Sequence, residues 1–175
     1  YAGKSVISVR RKVDLTEIVQ TSLALCGASI GDNVEVRLDG AVDLPGVNAD
    51  ANQIQQIVIN LITNSLEAIG PEKGSITVRT GVEECDERRL SANAAEDSQC
   101  VPGRFVFLEV ADTGCGIDEA DRKHLFEPFY TTRFLGRGLG LPAILGIVRS
   151  HKGAIFVDSV PGKGTTFQVL FPAGE

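Results

Sequence analysis

Methionine and tryptophan are absent from the 175-residue chain, and only two histidines are present. The lack of Met even at position 1, which is Tyr, points to a piece of a longer protein. Four cysteines occur, none in a C-x-x-C pair, so a structural zinc site has no ligand cluster to build on. They read as free thiols in a reducing compartment. No apolar run approaches the roughly 20 residues that span a bilayer, and no signal peptide opens the chain. Positive charge is in deficit: the net charge is -6, which disfavours a basic face for nucleic acid. No Ser–His–Asp or Cys–His arrangement for nucleophilic catalysis is present, nor paired carboxylates with an assignable role. Hydrophobic residues at 43% and charged residues at 23% suffice for one folded domain with its own core.

Residues 1–13 carry mixed charge without a period and read as a connector; the domain proper then runs from 14 to 175. Asp14 is a helix N-cap with Glu17 three residues on, and Leu15, Ile18, Val19, Leu23 and Leu25 form an apolar stripe to about Ile30. Val34 to Leu38 alternates as a half-buried strand after the Gly31-Asp32-Asn33 turn. Asp50 caps a second helix, with Gln53 at the third helical position, running to about Ile69 and stopped by Gly70-Pro71. At about 100° per residue, Gln53, Gln56, Asn60, Asn64 and Glu67 fall within an arc of roughly 80°. Ile54, Ile57, Val58, Leu61, Ile62, Leu66, Ala68 and Ile69 take the opposite side. A solvent face usually carries Lys and Glu, whereas Asn competes with its own backbone and weakens a helix. A row of neutral oxygen-bearing amides suits a hard cation and phosphate oxygens.

Ser75 to Val82 reads as a strand. Glu83 to Gly103, polar and irregular, reads as an inserted mobile hairpin loop. Arg104 to Ala111 is apolar on both faces and so central in its sheet. Asp112-Thr113-Gly114-Cys115-Gly116 follows, where paired glycines permit a close approach to the backbone. A short helix capped by Asp118 leads to the aromatic stretch Phe126 to Phe129. Next come Thr131, Thr132 and Arg133, then Gly136-Arg137-Gly138-Leu139-Gly140-Leu141 opening an apolar helix to Ser150. Glycine-rich backbone feeding a helix N-terminus is an anion cradle, since unpaired N–H groups and the macrodipole point at the ligand. His151 reads as a C-terminal helix cation. Strands Ala154–Val160 and Thr165–Phe171 form a hairpin over Pro161-Gly162-Lys163-Gly164.

In this order the segments resemble the ATP-binding catalytic domain of sensor histidine kinases, within the GHKL superfamily shared with DNA gyrase, a heat-shock chaperone of that fold and the MutL mismatch-repair ATPases. The resemblance covers about Asp14 to Pro172, with an N box at Gln56–Ala68 and glycine boxes at Asp112–Gly116, Gly136–Gly140 and Gly162–Phe167. It implies an α+β class and the Bergerat ATP-binding fold. That fold is a two-layer α/β sandwich, with a mixed, mostly antiparallel sheet covered on one face by three helices. It implies ATP and Mg²⁺ as cofactors, with Asn64 ligating the metal and Asn60 and Gln56 beside it as catalytic positions. Asp112 would bind the adenine amine, Gly114 and Gly116 shape its pocket, and Thr166 or its neighbour support the ring through water; Cys115 would lie near the base. Thr131, Thr132, Arg133, Gly136, Arg137, Gly138, Leu139, Gly140 and Leu141 would surround the phosphates.

The implied partners are a histidine-bearing dimerisation domain, which a homodimeric parent would carry upstream, and a response-regulator receiver. The implied location is cytoplasmic, the parent being soluble or membrane-anchored. The superfamily's ATPases carry a Glu where this chain has Asn60, and a carboxamide is no base. Slow hydrolysis and phosphotransfer to an incoming His are therefore expected, with a nucleotide-sensing pseudo-kinase or an ATPase clamp as the alternatives.

Overall fold

The computed structural model describes residues 9–95, 98–127 and 140–174. Strand β1 (Arg11–Val13) and helix α1 (Leu15–Cys26) open the chain, α1 closing in a 3₁₀ turn at Gly27–Ser29. Then come β2 (Val34–Asp39), β3 (Val47–Ala49), α2 (Ala51–Ile69), β4 (Gly74–Cys85), α3 (Glu87–Ser91) and β5 (Gly103–Asp112). The short α4 (Glu119–Arg122), α5 (Gly140–Ser150), β6 (Ala154–Val160) and β7 (Gly164–Pro172) complete it. Five strands form one sheet in the order β2-β4-β5-β7-β6. Only the β2–β4 pair is parallel, and α2 lies in the long crossover such a pair needs. β5 is the middle strand, as its two apolar faces predict. The architecture is the expected α+β two-layer sandwich.

The period of two along each strand decides what faces the helices. Ile76, Val78, Val106, Leu108, Val110, Phe167, Val169 and Phe171 are buried inward and pack with Ile54, Ile57, Val58, Leu61 and Ile62 of α2 and Ile144 and Val148 of α5. Burying each large aliphatic side chain contributes about 1.5–3 kcal/mol, so this apolar layer sets where α2 and α5 lie. Three expectations shift. Leu25 is exposed, lying to the side of the buried row of Leu15, Val19, Ser22 and Cys26. Ala68 is not on the apolar side but lines a pocket at the polar stripe. The connector is partly built into the domain: Arg11–Val13 pairs antiparallel with β3, and Val13 is buried.

The described part of the 83–103 segment, residues 83–95 and 98–103, is not a loose hairpin. β4 continues to Cys85, and Leu90, Cys85, Phe105, Ala154 and Leu170 form a second apolar cluster on the outer face of the sheet. The Arg89 guanidinium lies 3.7 Å from the Phe156 ring centroid and donates to Glu83 and Gln168. Beyond it the chain fastens to β6: Ala94 N–H donates to Ile155 O at 2.8 Å, and Asn93 Oδ1 accepts from Ile155 N–H at 2.8 Å. Polar composition concealed this docking because it rests on few apolar contacts. All four cysteines are free thiols. Burial and the Glu83 carboxylate push the Cys85 thiol up to about 12.

The N-terminus of α2 is tied to the C-terminus of α5. The Asp50 side chain accepts from Asn52 and Gln53 N–H, while its own N–H donates to His151 Nε2 at 3.2 Å. A backbone carbonyl only accepts, so the 2.9 Å contact of His151 Nδ1 with Ile147 O places the single ring proton on Nδ1. His151 is thus buried and neutral, not a C-terminal cation: burial lowers its pKa below the usual value, the bond to Ile147 opposing. The unfolded chain takes up this proton as pH falls below about 6.5, and the fold resists. Stability from His151 is therefore full above that pH and declines as pH falls toward the depressed folded value. Thermal denaturation should show the wild-type Tm falling between pH 7.5 and 5.5. The His151→Leu variant should be destabilised at pH 7.5 by about 1–3 kcal/mol, from the unsatisfied Asp50 N–H, with a flatter pH profile.

Candidate functional site

The same alternation that fills the core puts polar groups at one end of it. Asp112 follows Val110 on the inward row of β5, Thr165 precedes Phe167 on β7, and Ser159 lies on β6; the register pairs Asp112 with Thr165 and Thr165 with Ser159. This end of the sheet lies under the last turns of α2. Asn64, Ala68, Asp112, Gly116, Ile117, Thr165 and Phe167 line one small pocket there.

Asp112 is 9% exposed. Its Oδ1 accepts from Gly114 N–H at 2.9 Å and Thr165 N–H at 3.3 Å. Burial raises its pKa above the usual carboxylate value, while hydrogen bonding from Gly114, and from Ser65 and Thr165 after it, pulls it back. Around them Thr165 Oγ1 and Ser159 Oγ lie 2.8 Å apart, and Ile117 N–H donates to Ser159 Oγ. Among the described residues, Asn64 Nδ2 is buried in this site without a hydrogen-bond partner. A carboxamide's two ends are nearly isosteric, so a simple flip presents Oδ1 instead. An orphaned amide beside a pocket costs stability unless a ligand meets it.

Two glycines acquire a definite reason. A Cβ on Gly114 would lie 2.7 Å from the Ala68 carbonyl carbon, and Cys115 N–H donates to Ala68 O. Gly116 has φ +72°, and a Cβ there would lie 2.3 Å from Val160 O. The turn is therefore wedged between α2 and the β6–β7 hairpin, and what excludes larger residues is protein backbone. Cys115 donates to Gly116 O and lines a separate surface depression with Glu67 and Lys73, not the Asp112 pocket.

The remaining expected residues divide. Asn60, one turn before Asn64, donates to Gly140 O at 3.5 Å, so the amide stripe meets the start of α5. Leu141 is buried in the core, leaving only its backbone for a ligand. Gln56 is exposed on the same stripe and lines no pocket with Asp112. Thr166 lies on the outer face of β7, and Thr165 takes the position expected for it. Thr131, Thr132, Arg133, Gly136, Arg137, Gly138 and Leu139 lie outside the described residues. Ser65 and Ser159 were missed, while Thr165 is the neighbour of Thr166 that the expectation allowed for. Ser65 was the discernible one, a lone hydroxyl among the apolar positions of α2.

Residues 49–175 match the family described as histidine kinase-, DNA gyrase B-, and HSP90-like ATPase. Sensor kinase CckA of Brucella abortus is 36% identical over 163 residues, an alignment covering 91% of this chain and 17% of that protein. The chain thus spans less than a fifth of this relative's length. The catalytic domain of the histidine kinase ThkA is 26% identical at a TM-score of 0.73, covering 94% of this chain and 96% of that one. A structure of ThkA with the response regulator protein TrrA matches at 24% identity and a TM-score of 0.68, over 94% of this chain and 42% of that one, a likeness of fold alone. With a family match across most of its length, and the sheet, amide helix and strand-end Asp in place, the chain belongs to the histidine kinase-, DNA gyrase B- and HSP90-like ATPase family.

Proposed function

We propose that this chain is the ATP-binding catalytic domain of a two-component sensor histidine kinase. In this reading it presents the γ-phosphate of ATP to a His on a separate dimerisation domain, upstream of residues 1–13. The observation that carries the reading is the convergence on one pocket of a buried Asp from β5 and a carboxamide from α2 whose Nδ2 is unpartnered among the described residues. Asp112 accepts from the exocyclic amine of adenine, an acceptor matched to a donor in a site of low dielectric. Thr165 and the turn at Gly114 and Gly116 hold that acceptor in place.

Mg²⁺ fits Asn64, whose Nδ2 has no hydrogen-bond partner among the described residues and whose flipped amide sets Oδ1 in that place. Its Oδ1 would hold the ion together with phosphate oxygens and water, as a hard cation that keeps part of its hydration prefers. When bound, the ion neutralises charge on the phosphates. Asn60 orients beside it through its bond to Gly140 O, and the first-turn N–H groups of α5 face anionic oxygen favourably. Glycines 136 and 138, with Arg133 and Arg137, complete the phosphate contacts in the proposal. Asn60 takes no proton from water, so the γ-phosphate persists until a nucleophile is delivered. The proposal assigns that role to neither histidine of this chain: His151 is locked in the core, and His124 follows the short α4 rather than a dimerisation helix. The proposal extends to a homodimeric parent acting in the cytoplasm and to a receiver domain that takes the phosphate. It draws on the solved complex of ThkA with a response regulator. No helix among the described residues is long and apolar enough to cross a membrane.

Titration of the chain with ATP, with and without Mg²⁺, tests the site. Asp112→Ala should weaken ATP binding by about tenfold or more, the loss expected for a buried charged acceptor. Asn64→Ala should abolish the difference that Mg²⁺ makes while leaving metal-free binding intact. Labelled ATP should give no phosphohistidine on this chain alone and should label the parent's isolated His-bearing domain when that is added. Hydrolysis by the chain alone well above background would contradict the role given to Asn60.

A further inference from the structure

The last four carbonyls of a helix have no further turn to pair with, and each must find a partner at the helix end. Helix α5 meets three of its four locally. Ile147 O accepts from His151 N–H and Ser150 Oγ, Val148 O from Gly153 N–H, and Arg149 O from Lys152 N–H. The fourth, Ser150 O, is met from the other end of the chain: Arg10 Nη2 donates to it at 2.5 Å, from 140 residues away. A guanidinium at this place also complements the negative end of the helix macrodipole. Arg10 belongs to the connector and lies one residue before β1.

The contacts around this bond close a ring. Arg11 pairs with Ala49 of β3, and Asp50, the next residue, caps α2. Asp50 N–H donates to His151 Nε2, and His151 follows Ser150, which leads back to Arg10. Lys12 packs so closely on the chain before β3 that a Cβ on Gly46 would lie 2.4 Å from its side chain. The connector therefore meets the end of α5 and the start of α2 in one junction. The opposite end of α5 is the one given to the phosphates, and there Asn60 Nδ2 donates to Gly140 O. Leu141, Ile144 and Val148 bury the helix between its two ends. Its 11 residues span about 16 Å as a rod of three turns, so a shift of the last carbonyl is felt at the first turn.

We propose, resting on the ATP reading of the site, that the Arg10–Ser150 bond is a latch coupling the connector to the nucleotide. In the latched state α5 is held at both ends. In the released state water takes Ser150 O and the connector loosens from the junction. ATP with Mg²⁺ favours the latched state, because that state fixes the turn the phosphates use. By linkage, the latch strengthens ATP binding by the same factor by which ATP tightens the latch. A domain upstream of the connector pulls on this bond, so its position sets how firmly the nucleotide is held.

Hydrogen exchange and calorimetric titration of the 175-residue chain, with and without ATP and Mg²⁺, provide the test. In the wild type the β1 amides should exchange about fivefold more slowly with nucleotide bound, although β1 lies at the far end of α5. Arg10→Ala should abolish this slowing and weaken ATP by about fivefold, the lower end of ordinary coupling between sites. Its Tm should change little, since Arg10 is exposed. Ser150→Ala, which removes the hydroxyl and keeps the carbonyl, should retain both the slowing and the affinity. Amides of β1 that exchange alike with and without nucleotide, in a wild type that binds ATP, would overturn the latch and leave the ATP reading standing. An Arg10→Ala variant that binds ATP as tightly as the wild type would do the same. A wild type that binds no ATP removes the ATP reading and this inference together.

Discussion

The placement of α2 over the sheet is the constraint on which the rest depends. Six buried aliphatic side chains press this helix onto the inward rows of β4, β5 and β7, and that contact fixes its rotation. Its ends are then secured by groups outside it. Asp50 N–H reaches His151 at one end; at the other, Asn33 Nδ2 donates to Gly70 O and Glu72 O, and Cys115 N–H to Ala68 O. With rotation and ends both set, Asn60 must face the start of α5, and Asn64 must face the strand-end Asp. A one-residue slip of β5 would move Asp112 to the outer face, and one of β7 would turn Thr165 away from it; either dismantles the pocket.

The polar end of the sheet illustrates how a low dielectric is put to use. Asp112 lies where burial alone would favour its neutral form, and hydrogen bonds from two backbone amides and a hydroxyl favour the charged one. The opposition leaves an acceptor that is strong because little water competes for it. Asn64 is the complementary case, an amide whose Nδ2 has no partner among the described residues in the same site. One group is over-supplied with donors and the other left wanting. That asymmetry is the clearest physical mark of a place built to receive something.

Much of this was legible in the chain itself. The helix bearing the amides was visible from periodicity, its Asp50 cap and its Gly70 stop, and β5 from an apolar run too even for a surface strand. The weak motifs became informative through their order. What escaped reading had local causes. Thr165 and Thr166 are both plausible in a strand end, and only the register with Asp112 decides which one faces inward. His151 reads as a helix-end cation until a tertiary contact with Asp50 requires its lone pair. Ala68 belongs by composition to the apolar side, yet the last turn of α2 is where the glycine turn needs room. Residues 83–103 show no hydrophobic period, and those of them that are described fold onto a surface rather than around a core of their own.

The docking of that segment bears on how the domain behaves among copies of itself. An open sheet ends in two edge strands, and each offers unpaired amides and carbonyls to any extended chain that drifts by. At β2 the outward positions are Glu35, Arg37 and Asp39, whose charges discourage such pairing. At the start of β6 the edge is already occupied: Ala94 and Asn93 take the Ile155 backbone, and Ser98 Oγ reaches Gly153 O. The stretch that composition marked as expendable thus blunts a template for cross-β growth, and a shortened version of the domain would inherit a sticky margin.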